Sequence, residues 1–343
     1  MTSTQETPVS HGLVGWIIEV KGEVLLKRKH WSDYRLTRVG AELYPGDLLQ
    51  PASGARVLVQ CANGKTIWSV PEGVISGATN GCPPQAIPIS RRKGDIIPPR
   101  NSINPLIPYI ISPRRTLVLN PLPTLRWNAV PGAKSYSVSL IDEDDVLWET
   151  IVRETEVVYS GEPSLESGID YLLIIQADTG ASSQEEDLPD LGFSLLDENQ
   201  ASLVRECVEE LTNLELADEA LALALVHLYI GYDLRAEAIA TLEALVNEQS
   251  QTSAVYRTLG DLYREVGLNL LAQKHYLKAI ELASLKDLEG QALATEGLGK
   301  VYEAIANPQE AIRCLTQARD RYEALGDTQR LKDLEKRLAE LNS

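Results

Sequence analysis

The chain of 343 residues holds four cysteines and four histidines, and neither set is spaced to bind a metal ion. There is no CxxC pair and no Cys/His cluster, which excludes a zinc-binding module. His11, His30, His227 and His275 share no spacing with one another. No Ser/His/Asp order, dinucleotide fingerprint or HExxH occurs, so the chain does not read as an enzyme and no cofactor is expected. Long apolar runs are lacking as well. The longest helical one, Ala220 to Ile230, is interrupted by His227 and is too short to span a bilayer. Met1 to Gly12 is polar, without the basic-then-apolar pattern of an export signal. A soluble, reducing, cytoplasmic setting is therefore expected. Cys61 in a predicted strand and Cys82 in Gly81-Cys82-Pro83 leave one disulfide open, while Cys207 and Cys314 read as buried small hydrophobes.

Two local patterns invite a ligand and do not support one. Gly64-Lys65-Thr66 resembles the end of a phosphate loop, but Val59 stands where the loop needs glycine, and a strand follows instead of a helix. Asn63-Gly64 between two apolar runs is a hairpin signal. Asp142-Glu143-Asp144-Asp145 is a dense carboxylate cluster without the glycine and terminal glutamate of a calcium loop, and reads as a solvated turn.

The net charge of −17 is unevenly spread. Residues 1–115 carry 14 Lys/Arg against 8 Asp/Glu, residues 116–190 carry 3 against 15, and residues 191–343 carry 15 against 26. An acidic body disfavours nucleic acid as a partner. The basic front end suits an anionic surface, including the acidic parts of this same chain.

The C-terminal part repeats one helical pattern. Tyr256-x-x-Leu259-Gly260-x-x-Tyr263 with Ala272, Tyr276 and Ala279 returns as Thr295-x-x-Leu298-Gly299-x-x-Tyr302 with Ala311, Leu315 and Ala318. A looser copy is Ala222-x-x-Leu225-Val226-x-x-Tyr229 with Ala238 and Leu242. Large residues at i, i+3 and i+7 share one helix face, and the small ones sit where two helices approach closely. The Tyr-to-Tyr steps of 34 and 39 residues mark stacked helix pairs, with longer helices around Lys286 to Gln291 in the third. Leu331, Leu334, Leu338 and Leu341 then form a terminal cap with a polar outer face.

These residues resemble the tetratricopeptide repeat (TPR) family over residues 198–343, with Val226 departing from its usual glycine. The resemblance implies a non-catalytic scaffold or adaptor that binds other proteins along a concave face. Counted from the motif, that face carries His227, then Arg257, Asp261 and Arg264, then Glu296, Lys300 and Glu303. The family's carboxylate-gripping subset uses Lys and Asn here; Asp261 breaks that pattern, so the specificity is not carried over.

Ahead of the helices two all-β modules are expected. Over residues 12–82 the order Trp16-Ile17-Ile18, Gly22-Glu23-Val24, Trp31, Gly46-Asp47-Leu48, Ala55-Arg56-Val57 and Asn63-Gly64 resembles the FecR-like domain, best known from bacterial signal-transducing regulators. The membrane helix and sigma-factor-binding segment of those regulators are missing, so the resemblance implies the fold alone. Residues 83–105 are Pro-rich and basic and read as an extended linker. Over 106–197, Trp127, Tyr136 and Leu165-x-x-Gly168-x-x-Tyr171 resemble an immunoglobulin or fibronectin type III-like sandwich, with an exposed, mobile acidic loop at Glu185-Glu186-Asp187. Asp197-x-x-Gln200 opens the first helix almost without a linker. An alternative function follows from this order: a signalling regulator whose first module senses a ligand or partner and whose helices relay it.

Overall fold

The computed structural model describes residues 12–83, 104–142, 145–186 and 191–342. Most of the Pro-rich stretch and the middle of the acidic turn at 142–145 lie outside them. Two all-β units are followed by a series of helices, as the sequence leads one to expect.

Short apolar-alternating runs make the first unit: β1 (Gly15–Lys21), β2 (Val24–Lys27), β3 (Arg35–Leu36), β4 (Glu42–Leu43), β5 (Leu48–Pro51), β6 (Arg56–Cys61), β7 (Ile67–Ser69) and β8 (Ser76–Gly77). They form two antiparallel sheets in the orders β4-β1-β6-β7 and β3-β2-β5-β8. Ile17, Leu26, Leu43, Leu49 and Val57 from both sheets share one buried cluster. A bulge in β1 between Ile17 and Glu19 turns Ile18 away from this core, and Ile18 joins Leu58 in a second cluster built of helix residues. That strand face is therefore buried on both sides, which explains the unbroken Trp16-Ile17-Ile18 and Val57-Leu58-Val59 runs. The Asn63-Gly64 hairpin forms, with Gly64 at a positive φ of 80°. A one-turn helix, α1 (Ala78–Gly81), lays Gly81 against the Trp68 ring, where any side chain would collide. It also brings Cys82 to Cys61, and the two form a disulfide with Cα atoms 5.1 Å apart.

The second unit comprises β9 (Ile110–Ser112), β10 (Thr116–Val118), β11 (Thr124–Trp127), β12 (Tyr136–Asp142), β13 (Asp145–Val152), β14 (Glu156–Val158), β15 (Asp170–Ala177) and β16 (Phe193–Leu195). Its sheets run β14-β11-β9 and β10-β16-β15-β12-β13, with β10 and β16 parallel. Trp127 packs edge-on to Tyr136 at 5.5 Å in the core between them. In the acidic loop Glu185 is exposed as expected and Asp187 lies outside the described residues, whereas Glu186 is drawn inward. Ser182 caps a 3-10 turn over Ser183–Glu185, and Glu186 closes a two-pronged pair with the buried Arg114 at 2.6 and 2.8 Å. A buried guanidinium needs that carboxylate, so charge pairing outweighs hydration of the loop.

The helices are α2 (Glu198–Thr212), α3 (Asp218–Gly231), α4 (Arg235–Asn247), α5 (Ser253–Glu265), α6 (Asn269–Leu282), α7 (Leu288–Ala304), α8 (Pro308–Leu325) and α9 (Thr328–Leu341). Asp197 caps α2 by accepting from the Asn199 and Gln200 amides. The pairs α3/α4, α5/α6 and α7/α8 carry the three copies of the motif. Their small residues are where helices touch: a Cβ on Gly260 would lie 3.1 Å from the Tyr276 ring, and one on Gly299 would lie 2.7 Å from Leu315. Each motif tyrosine also ends its helix. The carbonyls of Tyr229, Tyr263 and Tyr302 accept from Leu234, Leu268 and Asn307 at 2.9, 2.7 and 2.9 Å, closing the same C-cap three times. As the longer Tyr-to-Tyr step implies, α7 and α8 have 17 and 18 residues against 13 and 14 in α5 and α6.

The second β unit grips the helix turns. Leu117 and Thr116 donate to the Asp233 carbonyl, Glu237 accepts from the Leu119 amide, and Arg114 Nε donates to the Val266 carbonyl at 2.7 Å.

Candidate functional site

The first helices of the pairs, α3, α5 and α7, present the face on which binding residues were expected. At i, i+4 and i+7, Arg257, Asp261 and Arg264 follow one side of α5, and Glu296, Lys300 and Glu303 follow the same side of α7. Part of this face is already occupied by the chain's own first β unit. Trp16 stacks on His227 with ring centroids 4.5 Å apart. Gln60, fully buried on β6, donates its amide to the carbonyls of Gly64 and Ala224 at 2.6 and 2.9 Å. Its oxygen lies 3.0 Å from His227 Nδ1, so Nδ1 must carry the proton and donate. Burial, with the nearby Arg257 charge, lowers the His227 pKa to about 3. Further along, Arg28 donates to Asp47 and to Glu289 at 2.6 Å each, Arg38 pairs with Asp287 at the start of α7, and Arg35 donates to the Ala324 carbonyl. Burial, followed by the charges of Arg257 and Arg28, lowers the Arg38 pKa to about 10 against the pull of Glu289. The basic front end thus meets the acidic helices of its own molecule.

One of the seven expected positions is buried by this docking and a second is shared with it. His227 is buried beneath Trp16, and Arg257 donates to the Gly40 carbonyl at 3.3 Å as well as to Asp261 at 2.9 Å. Both serve contacts inside the molecule, because desolvating a helix face pays off equally well against a tethered β unit.

The other five border open space, and Arg257 borders it as well. Arg257, Asp261, Arg264, Glu296 and Lys300 line a cavity of about 390 Å³ whose wall includes Glu42 of β4. It adjoins a second of about 870 Å³, lined by Arg264, Glu296, Lys300 and Glu303 together with Leu315, Leu334 and Arg337. Lys300 bonds Glu296 at 2.6 Å, and Glu296 also accepts the Tyr322 hydroxyl at 2.8 Å. Burial raises the Glu296 pKa, but Lys300 and these hydrogen bonds outweigh it and hold the carboxyl ionised. Sequence reasoning missed Asp333, Leu334 and Arg337 of α9. Its charges read as the solvated face of a cap, and the pattern carries no mark that α9 closes one wall of the cavity.

No group of three or more His, Cys, Asp or Glu among the described residues could hold a metal ion, and no described helix is long and apolar enough to cross a membrane.

Residues 251–324 match the tetratricopeptide repeat model. The match spans α5 to α8 and belongs to a family of typically non-catalytic interaction modules. Similar solved structures include MamA MSR-1 C2, at 21% identity over 42% of this chain and 89% of that one, with a TM-score of 0.29. BtubC (BKLC) from P. vanneervenii is 18% identical over 42% of this chain and 72% of its own, with a TM-score of 0.27. A putative kinesin light chain from Podosopora anserina with TPR-like repeats is 19% identical over 41% and 88%, with a TM-score of 0.30. No curated protein matches the chain.

Proposed function

We propose that this chain is a non-catalytic protein–protein interaction scaffold whose free binding surface is the open end of the concave face, between α5, α7 and α9. One observation carries the reading. The paired cavities keep apolar side chains and charges of both signs together in about 870 and 390 Å³, within the ~300–1,000 Å³ range of ligand clefts. The test is capture of partners by the full chain, by a Lys300→Glu/Arg337→Glu variant, and by Lys278→Glu on the outer helix α6. Lys300 and Arg337 are 49% and 41% exposed, so their surface pairs contribute little to stability. A partner held by the parent and the outer variant but lost from the double variant supports the reading. The same capture by all three refutes it.

The docked β unit favours the second reading, a regulator whose first unit senses a partner and relays it through the helices. Its contacts with α3, α5 and α7 give such a relay a physical path. We assign this unit to the FecR-like class and the second to the fibronectin type III-like class. The sheet orders support the latter, as does the Tyr171 hydroxyl, which accepts from the Glu166 amide at 2.7 Å in the manner of a tyrosine corner. The Cys61–Cys82 bond supports an oxidising compartment over the reducing cytoplasm expected from the sequence.

A further inference from the structure

Arg264 differs from the other cations around the two cavities. Arg257 pairs with Asp261 at 2.9 Å, Lys300 with Glu296 at 2.6 Å, Arg330 with Asp327 at 3.7 Å, and Arg337 with Glu303. Arg264 lines both cavities and is half-buried, yet among the described residues it forms no ion pair. Its one hydrogen bond there runs from Nε to the Tyr276 hydroxyl at 3.4 Å. Of the carboxylates around it, Asp333 lines both cavities and accepts from the Gln329 amide at 3.3 Å, and three others are engaged elsewhere. Asp261 accepts from Tyr276 at 2.6 Å and from Arg257, Glu265 faces Arg235 at 3.3 Å, and Glu296 is held by Lys300 and Tyr322. A guanidinium drawn partly out of water gains most from a carboxylate that meets it in two-pronged geometry. Close by, Leu315, Leu334 and Leu341 supply an apolar wall to the larger cavity.

Resting on the scaffold reading, we propose that this cavity docks a peptide segment of a partner protein carrying an internal Asp or Glu side chain for Arg264, flanked by an aliphatic side chain for the leucine wall. The site continues an interface already in use. On the adjoining stretch of the same face, guanidinium–carboxylate pairs from Arg28 and Arg38 to Glu289 and Asp287 hold the first β unit. In the open cavity the cation comes from the helix, so the carboxylate comes from the partner. Arg264 feels Asp261 and Glu265 only without direct contact, whereas the other cations named here each hold a carboxylate in an ion pair, which sets the register of the acidic residue at α5.

The experiment is selection of a randomised peptide library, displayed with both peptide ends fused, against the full-length chain. The expected winners share an acidic residue next to Leu, Ile or Val. A selected peptide then loses about tenfold or more in affinity on Arg264→Gln, and as much when its own Glu is changed to Gln. Arg264→Lys restores part of the binding, and the peptide-side change reads the contact without altering the protein's fold. Winners without a carboxylate, or winners indifferent to Arg264→Gln, overturn this proposal and leave the scaffold reading standing. If nothing is selected, or the selected peptides ignore Lys300→Glu/Arg337→Glu, both fall.

Discussion

Acidification should loosen the molecule first at His227. The ring is buried under Trp16 and against the Gln60 amide oxygen, and its pKa is lowered to about 3 by burial and by Arg257. In the unfolded chain it titrates near 6.5. The sign follows directly. Above pH 6.5 neither state is protonated and the full stability is present. As pH falls from 6.5 towards 3 only the unfolded chain takes up the proton, so stability is lost through that window. The loss amounts to about 2 kcal/mol between pH 7 and pH 5, rising to ~4 kcal/mol by pH 3. His275, stacked on Tyr263 and lowered to about 4 by burial and Lys274, adds a similar loss of about 2 kcal/mol by pH 5. Urea unfolding at pH 7 and pH 5 measures both. His227→Gln should remove about half of the histidine-linked difference. A His227 ring resonance that titrates near 6.5 in the folded protein would refute the buried placement.

Other substitutions test the packing. Gly297→Ala sets a Cβ 2.4 Å from the Tyr276 ring, whose hydroxyl is tied to Asp261, and should cost about 1–2 kcal/mol after the gain in helix propensity. Gly231→Ala in α3 meets nothing within 4 Å and should instead stabilise by about 0.4–1 kcal/mol in the same thermal melts. Arg28→Met strands the buried Asp47 and removes the link to Glu289, for an expected loss of about 3–5 kcal/mol in urea unfolding. Thiol titration of the denatured, unreduced protein should find two reactive cysteines, Cys207 and Cys314; four would show that Cys61 and Cys82 are not joined.

The helical array was legible because its signal is periodic: the Leu-Gly-x-x-Tyr copies fix which residues face each other, and tertiary packing reuses them three times. The β strands with strong alternation were legible too, whereas β3, β9 and β10 are two or three residues long and too short to show a period. The docking of the first β unit was not legible as a contact. Its traces were present, in the basic front end and in runs such as Val57-Leu58-Val59 that suit a strand buried on both faces. A charge excess names a sign and not a position, so it could not say that Arg28 and Arg38 meet the start of α7. For the same reason His227 and Arg257 read as free groove residues. Helical spacing places a side chain on a face, and only the fold decides what covers it.

The account rests on the first β unit being seated on the concave face. A protease site placed within residues 84–103 would cut the chain between that unit and the rest without crossing the Cys61–Cys82 bond. Native mass spectrometry after cleavage reads the result. The account predicts that the two pieces remain a one-to-one complex at micromolar concentration and separate when Trp16 and Arg28 are both replaced by alanine. Pieces that part immediately on cleavage of the unsubstituted chain would contradict it.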